Sequence, residues 1–268
     1  MATRPDPVAA EQRQAALIRE RVLRYLAAVW SASTSFRDVD VDRIVAAVVP
    51  RVHAGMLQVA TLTDAAIGQA AVRAGVTWTS GVDRTVVDYR GTPAAEVYRR
   101  PAVQLYSELA AGAAFDVARQ HALERLLTIA KTDIQQARNR QAATSLSHSG
   151  FVGYRRTLTG AENCALCVIA STQRYTVGDL MPIHPGCDCG VAGFKARSDP
   201  GQVLDPELLE EAHQLVEQKF GVSDRGAREP DYRDFITVNE HGELGPTLAW
   251  RDEHFTSAAD IESGHGDH

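Results

Sequence analysis

Lysine is nearly missing from this chain: it occurs only at Lys131, Lys195 and Lys219, so arginine carries almost all of the positive charge. We read that bias as genome composition and not as a binding signature. Aromatic residues are sparse, at 6%. No uncharged apolar run reaches the roughly 18 residues that a membrane-crossing helix needs, so no membrane span is expected. Met1–Ala10 contains no apolar segment of the kind that opens a secretory signal, so the expected compartment is the reducing one in which the chain is made. Cysteine is absent outside positions 164–189. With 44% hydrophobic and 23% charged residues, collagen-like, disulfide-scaffold and wholly disordered classes are excluded. Several catalytic signatures are missing too. There is no Gly-x-Ser-x-Gly elbow, phosphate loop, Gly-x-Gly-x-x-Gly turn, His-Glu-x-x-His pair or zinc-deaminase pattern.

Charge is present but unevenly spread. Residues 1–194 hold 21 bases and 17 acids, a balance of +4, whereas residues 195–268 hold 7 bases and 17 acids, a balance of −10; together they give the net −6. Such an acidic end is expected to be solvated and to repel nucleic-acid phosphates.

Residues 10–150 read as helix. Val22, Leu23, Leu26 and Trp30 recur at three- and four-residue spacing, as do Ile44, Val48, Val52, Met56 and Val59 between Val39 and Gly75, with Pro50 as an expected kink. Thr77–Pro101 reads as a break. A long helix is then expected from Val103 to Ser145, divided in two if Gly112 interrupts it. Its polar residues Arg119, Glu124, Arg125, Lys131, Asp133, Arg138 and Arg140 read as a solvated face. From Gly150 to Phe194 no helical period persists, and strands at Gly153–Leu158 and Arg174–Val177 fit the turn-rich composition. A further helix is expected over Asp205–Phe220 and a strand-like run at Phe235–Val238. The fold class is therefore α+β: a mostly helical N-terminal half (1–148), a small loop-rich Cys/His zinc-stapled β module (149–195) and an acidic C-terminal helix and tail (196–268).

The chemical signal lies in that middle segment, as Cys164-Ala-Leu-Cys167 followed by His184-Pro-Gly-Cys187-Asp-Cys189. A two-residue gap lets both thiolates of one turn reach a single ion, and a second short cluster closes a tetrahedron. Thiolate and imidazole select zinc over magnesium or calcium. One structural zinc ion contributes about 10–16 kcal/mol in peptide systems, enough to organise a segment too rich in glycine to hold a core unaided. Five candidates, Cys164, Cys167, His184, Cys187 and Cys189, compete for four places. Cys187 and Cys189 point to opposite faces of an extended strand, which favours Cys164, Cys167 and His184 with one of that pair; four sulfurs without His184 is the other set. Two disulfides, or cysteines that bind no metal, are the competing readings. Glu162 and Asp188 are the nearest carboxylates, and neither makes the site catalytic. Ser145, Ser147 and His148 lie close together without an orienting acid, and His241 reads as a turn residue.

Taken together, Gly153-Tyr154-Arg155-Arg156-Thr157, the Cys164/Cys167 pair and Asp179–Cys189 resemble the Mu F-like (MuF) minor head proteins of tailed bacteriophages, most of all those from phages of actinobacteria. Glu240–Pro246 and Phe255-Thr256 are similar as well. Members often carry Arg between the last two cysteines; here it is Asp188, which removes a positive charge from the loop. The resemblance implies a structural minor capsid protein concerned with head morphogenesis, not an enzyme. It would be made in the host cytoplasm and carried in the virion, in the capsid interior or at the portal vertex. Its partners would be the portal, other head proteins and packaged DNA. Two alternatives belong to other classes. Genes of this kind often bear the name capsid maturation protease, which would demand a nucleophile, base and orienting group. A zinc-stabilised nucleic-acid module would use Arg155, Arg156 and Arg174 with Phe151, Tyr154 and Tyr175.

Overall fold

A computed structural model describes residues 7–158, 165–172, 174–177, 189–198, 210, 213–214, 216–218, 221, 236–241 and 245–250. Four long helices come first: α1 (Pro7–Ala32), α2 (Asp38–Ala74), α3 (Ala94–Ala110) and α4 (Phe115–Ser147). The stripes that mark α1 and α2 in the sequence become core: Val22, Leu26 and Trp30 meet Ile44, Val48, Val52, Met56 and Val59, all at most 5% exposed. The Trp30 ring packs at 4.7 Å against Phe36, tilted by 47°, and its indole N–H donates to the Arg119 carbonyl at 3.2 Å, so the large ring leaves no orphaned donor. Helix α2 runs through Pro50 without a break. It ends at Gly75, whose left-handed φ of 67° lets Gly75 and Val76 donate back to Val72 and Ala71. An 18-residue window of α2 reaches a mean hydropathy of 1.4, long and apolar enough to cross a membrane, and 44% of that window is buried. Packing on α1, α3 and α4 accounts for the apolar character of this helix.

Two sequence expectations need correction here. The segment after Thr77 is not a break up to Pro101: a 3-10 turn spans Arg84–Asp88, and α3 begins at Ala94 with Pro101 inside it. The long stretch from Val103 to Ser145 divides in two at Gly112, as the sequence allows, and the φ of 91° there is one that only glycine adopts readily. Of the polar residues expected on a solvated face of α4, Glu124 and Arg125 are exposed and Arg119, Lys131, Arg138 and Arg140 are half-buried, but Asp133 is not on that face. Thr132, Asp133, Gln135 and Gln136 are all buried, because α1, α2 and α3 surround the middle of α4.

The chain then turns into a small antiparallel sheet of β1 (Gly153–Thr157), β2 (Arg174–Thr176) and β3 (Gly190–Phe194), in the order β2-β1-β3. A short helix, α5 (Ala165–Ser171), packs on β1, where the sequence showed no helical period; seven residues are too few to display one. Ile67, Ala71, Ala142 and Leu146 from α2 and α4 form a second core with Phe151 and Tyr154, so the sheet sits across the ends of those helices. Lys195 ties the far edge by donating to the carbonyl of Ala74, the last residue of α2, at 2.8 Å, where the helix dipole favours a cation. A separate hairpin, β4 (Ile236–His241) paired with β5 (Gly245–Trp250), extends the strand-like run seen in the sequence. The chain is thus mostly helical with small antiparallel sheets. The expected 205–220 helix lies largely outside the described residues.

Candidate functional site

Antiparallel pairing assembles the site. The β1–β3 register runs from Gly153↔Phe194 to Thr157↔Gly190, so the next residues outward, Leu158 and Cys189, leave the sheet side by side. Helix α5 packs on β1 and presents Cys167 there. Cys167 is buried, and both Leu158 and Cys189 pack against it. Two of the five candidate ligands, one from each cysteine cluster, therefore meet in space. Among the described residues no disulfide links them. Cys164, His184 and Cys187 lie outside the described residues, as do Glu162 and Asp188. No group of three or more metal-binding side chains occurs among the described residues. Two cysteines from separate motifs that pack together supply the donor chemistry that zinc prefers, so the described part of the site fits that ion.

Cys189 is also fastened to the helical bundle. Arg138 of α4 donates through Nη1 to the Cys189 carbonyl at 3.3 Å. The same guanidinium grips both carboxylate oxygens of Glu11 on α1, with Nε at 2.8 Å from Oε1 and Nη2 on Oε2. Thr63 of α2 donates to Glu11 Oε1 at 2.9 Å. This pair is nearly dry, with side chains 12% and 6% exposed. The next residue, Gln12, donates to Thr157 Oγ1 at 3.3 Å. Gly190 lets these groups approach closely: a Cβ there would lie 2.3 Å from the Gln12 amide nitrogen and 2.9 Å from Thr157 Oγ1, so a larger residue would have to displace the Gln12 side chain. Beside these contacts a cleft of about 170 Å³ opens between α1, α2, α4 and β3, walled mainly by Val8, Ile67, Ala142, Phe151 and Val191, with Glu11 and Arg138 as its charged groups. Glu11 and Thr63 carry no sequence signal, because Glu11 meets Thr63 across 52 residues and Arg138 across 127, separations that leave no local pattern.

Other polar groupings turn inward. Ser145 is fully buried and donates to Asp64 Oδ1 at 2.7 Å. Ser80 holds the other oxygen at 2.7 Å, and Gln141 links Ser145 to the Gly81 carbonyl. Ser147 donates to the Thr144 carbonyl at 2.7 Å, so the Ser145, Ser147 and His148 grouping supplies no aligned nucleophile and base. Asp133 of α4, 4% exposed, accepts from Tyr89 (2.8 Å) and Tyr98 (2.7 Å) and pairs with Arg90 at 2.6 Å. Burial, reinforced by the Asp133 charge, pushes both tyrosines well above the ordinary phenol range. Of the residues that a nucleic-acid surface would use, Arg156 is 3% exposed and Phe151 and Tyr154 are buried core; Tyr154 stacks on Tyr175 at 5.1 Å. Arg155 and Arg174 alone remain on the surface, opposite each other across β1 and β2. His241 closes β4, in backbone register with Gly245.

The VG15 protein family matches residues 1–215, from the first helix through both cysteine clusters. The chain belongs to the VG15 family. It is thus a phage protein. No curated protein matches it, and no solved structure does. In this VG15 chain the match spans bundle and cysteine module together.

Proposed function

We propose that this VG15 chain is a structural minor capsid protein of a tailed bacteriophage, MuF-like in its cysteine module, which docks near the portal and assists head assembly and DNA packaging or ejection. In this reading it is made in the host cytoplasm, ends in the capsid interior or at the portal vertex, and has no catalytic role. The observation that carries the reading is the phage family match over residues 1–215, joined with the Cys164–Cys189 motif that resembles MuF proteins. The polar clusters support it, since Asp64, Asp133 and Ser145 spend their hydrogen bonds tying the helices together. Where α3 passes to α4, Val103, Tyr106, Phe115 and Val117 are between 40% and 58% exposed, which offers apolar surface to a large partner.

Four of the five candidates Cys164, Cys167, His184, Cys187 and Cys189 would hold one structural zinc ion. The ion's chemistry there is cross-linking: it would join the α5 side of the module to the start of β3. The chain's own contribution is to bring the two clusters together through the β1–β3 register and to shield Cys167 behind Leu158.

The test is co-expression with the portal and scaffold proteins of the same phage, followed by sedimentation of procapsids. The protein is expected to sediment with portal-containing particles. Its absence from them, or specific cleavage of the major capsid precursor that a single Ser→Ala change abolishes, would overturn the structural reading.

A further inference from the structure

Arg138 sits where bundle and cysteine module meet, and its bonds are unusual in joining three helices to a ligand candidate. We propose that Arg138, held by Glu11, is a positioning residue for metal binding: it fixes the backbone of Cys189 and so couples metal occupancy to the seating of α1. The inference rests on the reading of the cysteine cluster as a zinc site.

A thiolate binds an ion tightly when its Cα is already in place, because the ordering cost is then met before the ion arrives. Cys189 lies one residue beyond the β1–β3 register, so the ladder alone does not set its carbonyl. The Arg138 bond to its carbonyl supplies that constraint from outside. Arg138 in turn is not adjustable: Glu11 takes its fork through two oxygens, and Thr63 fixes Glu11. Replacing the guanidinium by an ammonium would keep the charge opposite Glu11 but lose the planar geometry that serves two partners at once. The coupling must also run in reverse. If the seated Arg138 raises metal affinity, the bound metal must favour the seated Arg138, and with it the first turns of α1.

The experiment uses the full chain and zinc alone, titrated against a chromophoric chelator, in wild type, Arg138→Lys, Glu11→Gln and Tyr89→Phe. The last variant removes a buried bond of the bundle remote from the module and controls for general loss of stability. Loss of a residue supporting a metal ligand typically weakens binding about 10–100-fold, and that is the expected loss for Arg138→Lys, with a smaller loss for Glu11→Gln and none for Tyr89→Phe. Hydrogen exchange of the wild type should slow at residues 8–16 when zinc is added, and this response should vanish in Arg138→Lys. Should Arg138→Lys fail to fold, Glu11→Gln and the wild-type exchange experiment carry the test. Wild-type affinity in both Arg138→Lys and Glu11→Gln, or an equal loss in Tyr89→Phe, overturns the proposal while the zinc reading stands. A wild type that binds no zinc overturns the zinc reading itself and the proposal with it.

Discussion

Asp133 is the most consequential polar residue in the bundle, and its removal can be weighed from its contacts. Asp133→Ala would leave Arg90 charged and 8% exposed, and would take a charged acceptor from both Tyr89 and Tyr98. Breaking a buried ion pair by deleting one partner costs about 3–5 kcal/mol. The two hydroxyls lose bonds of the charge-assisted kind, so we take the upper end, about 5 kcal/mol. At roughly 2–4 °C per kcal/mol for a unit of this size, Tm should fall by about 10–20 °C. Tyr98→Phe removes one of those bonds and leaves the ion pair, which should cost about 1.5–3 kcal/mol. Calorimetry of both variants and of the double variant measures the scale and the coupling, and the double should cost less than the sum. An Asp133→Ala protein that melts within about 2 °C of wild type would refute the reasoning, as a fall of that size corresponds to no more than about 1 kcal/mol.

Raised pKa values make Tyr89 and Tyr98 a stabilising term that is fully present below the unfolded phenol value near about 10 and is lost as pH rises through the higher folded values. Alkaline absorbance titration should therefore show these two among the seven tyrosines ionising only as the bundle unfolds, and Tyr98→Phe should flatten the decline in stability at high pH; normal titration of all seven would contradict it. Gly68→Ala gives a sign test. In an open helix the change would stabilise by about 1 kcal/mol, but a Cβ at Gly68 would lie 2.5 Å from the Trp78 ring. Overpacking of that kind costs about 1–3 kcal/mol, so Tm should fall and Trp78 fluorescence should shift; a rise in Tm would show that the ring moves aside freely.

Much of the helical half was legible because α1 and α2 bury one face against a core. Val22, Leu26, Met56 and Val59 repeat with the helical period for that reason. Asp133 of α4 escapes the pattern for the same physical reason inverted: wrapped on several sides, the middle of the helix buries Asp133 and Gln141 by giving them partners, so polarity there does not mark an exposed side. Strand β3 was missed because Gly190 and Gly193 look like loop residues. At Gly193 the Phe151 ring presses on the strand, and a Cβ there would lie 2.5 Å from that ring; at Gly190 the Gln12 side chain approaches closely. At the site, cysteine spacing announced the chemistry, since ligand geometry is local. The anchoring of Cys189 by Arg138 and Glu11 depends on where distant helices come to rest, and no short pattern encodes it.

Native mass spectrometry of the full chain before and after chelation tests the central claim, a metal-stapled module seated on a helical bundle, most directly. The account predicts one zinc ion per chain, lost to the chelator together with amide protection in the segment from β1 to β3. A metal-free chain lighter by the hydrogens of two disulfides would contradict it.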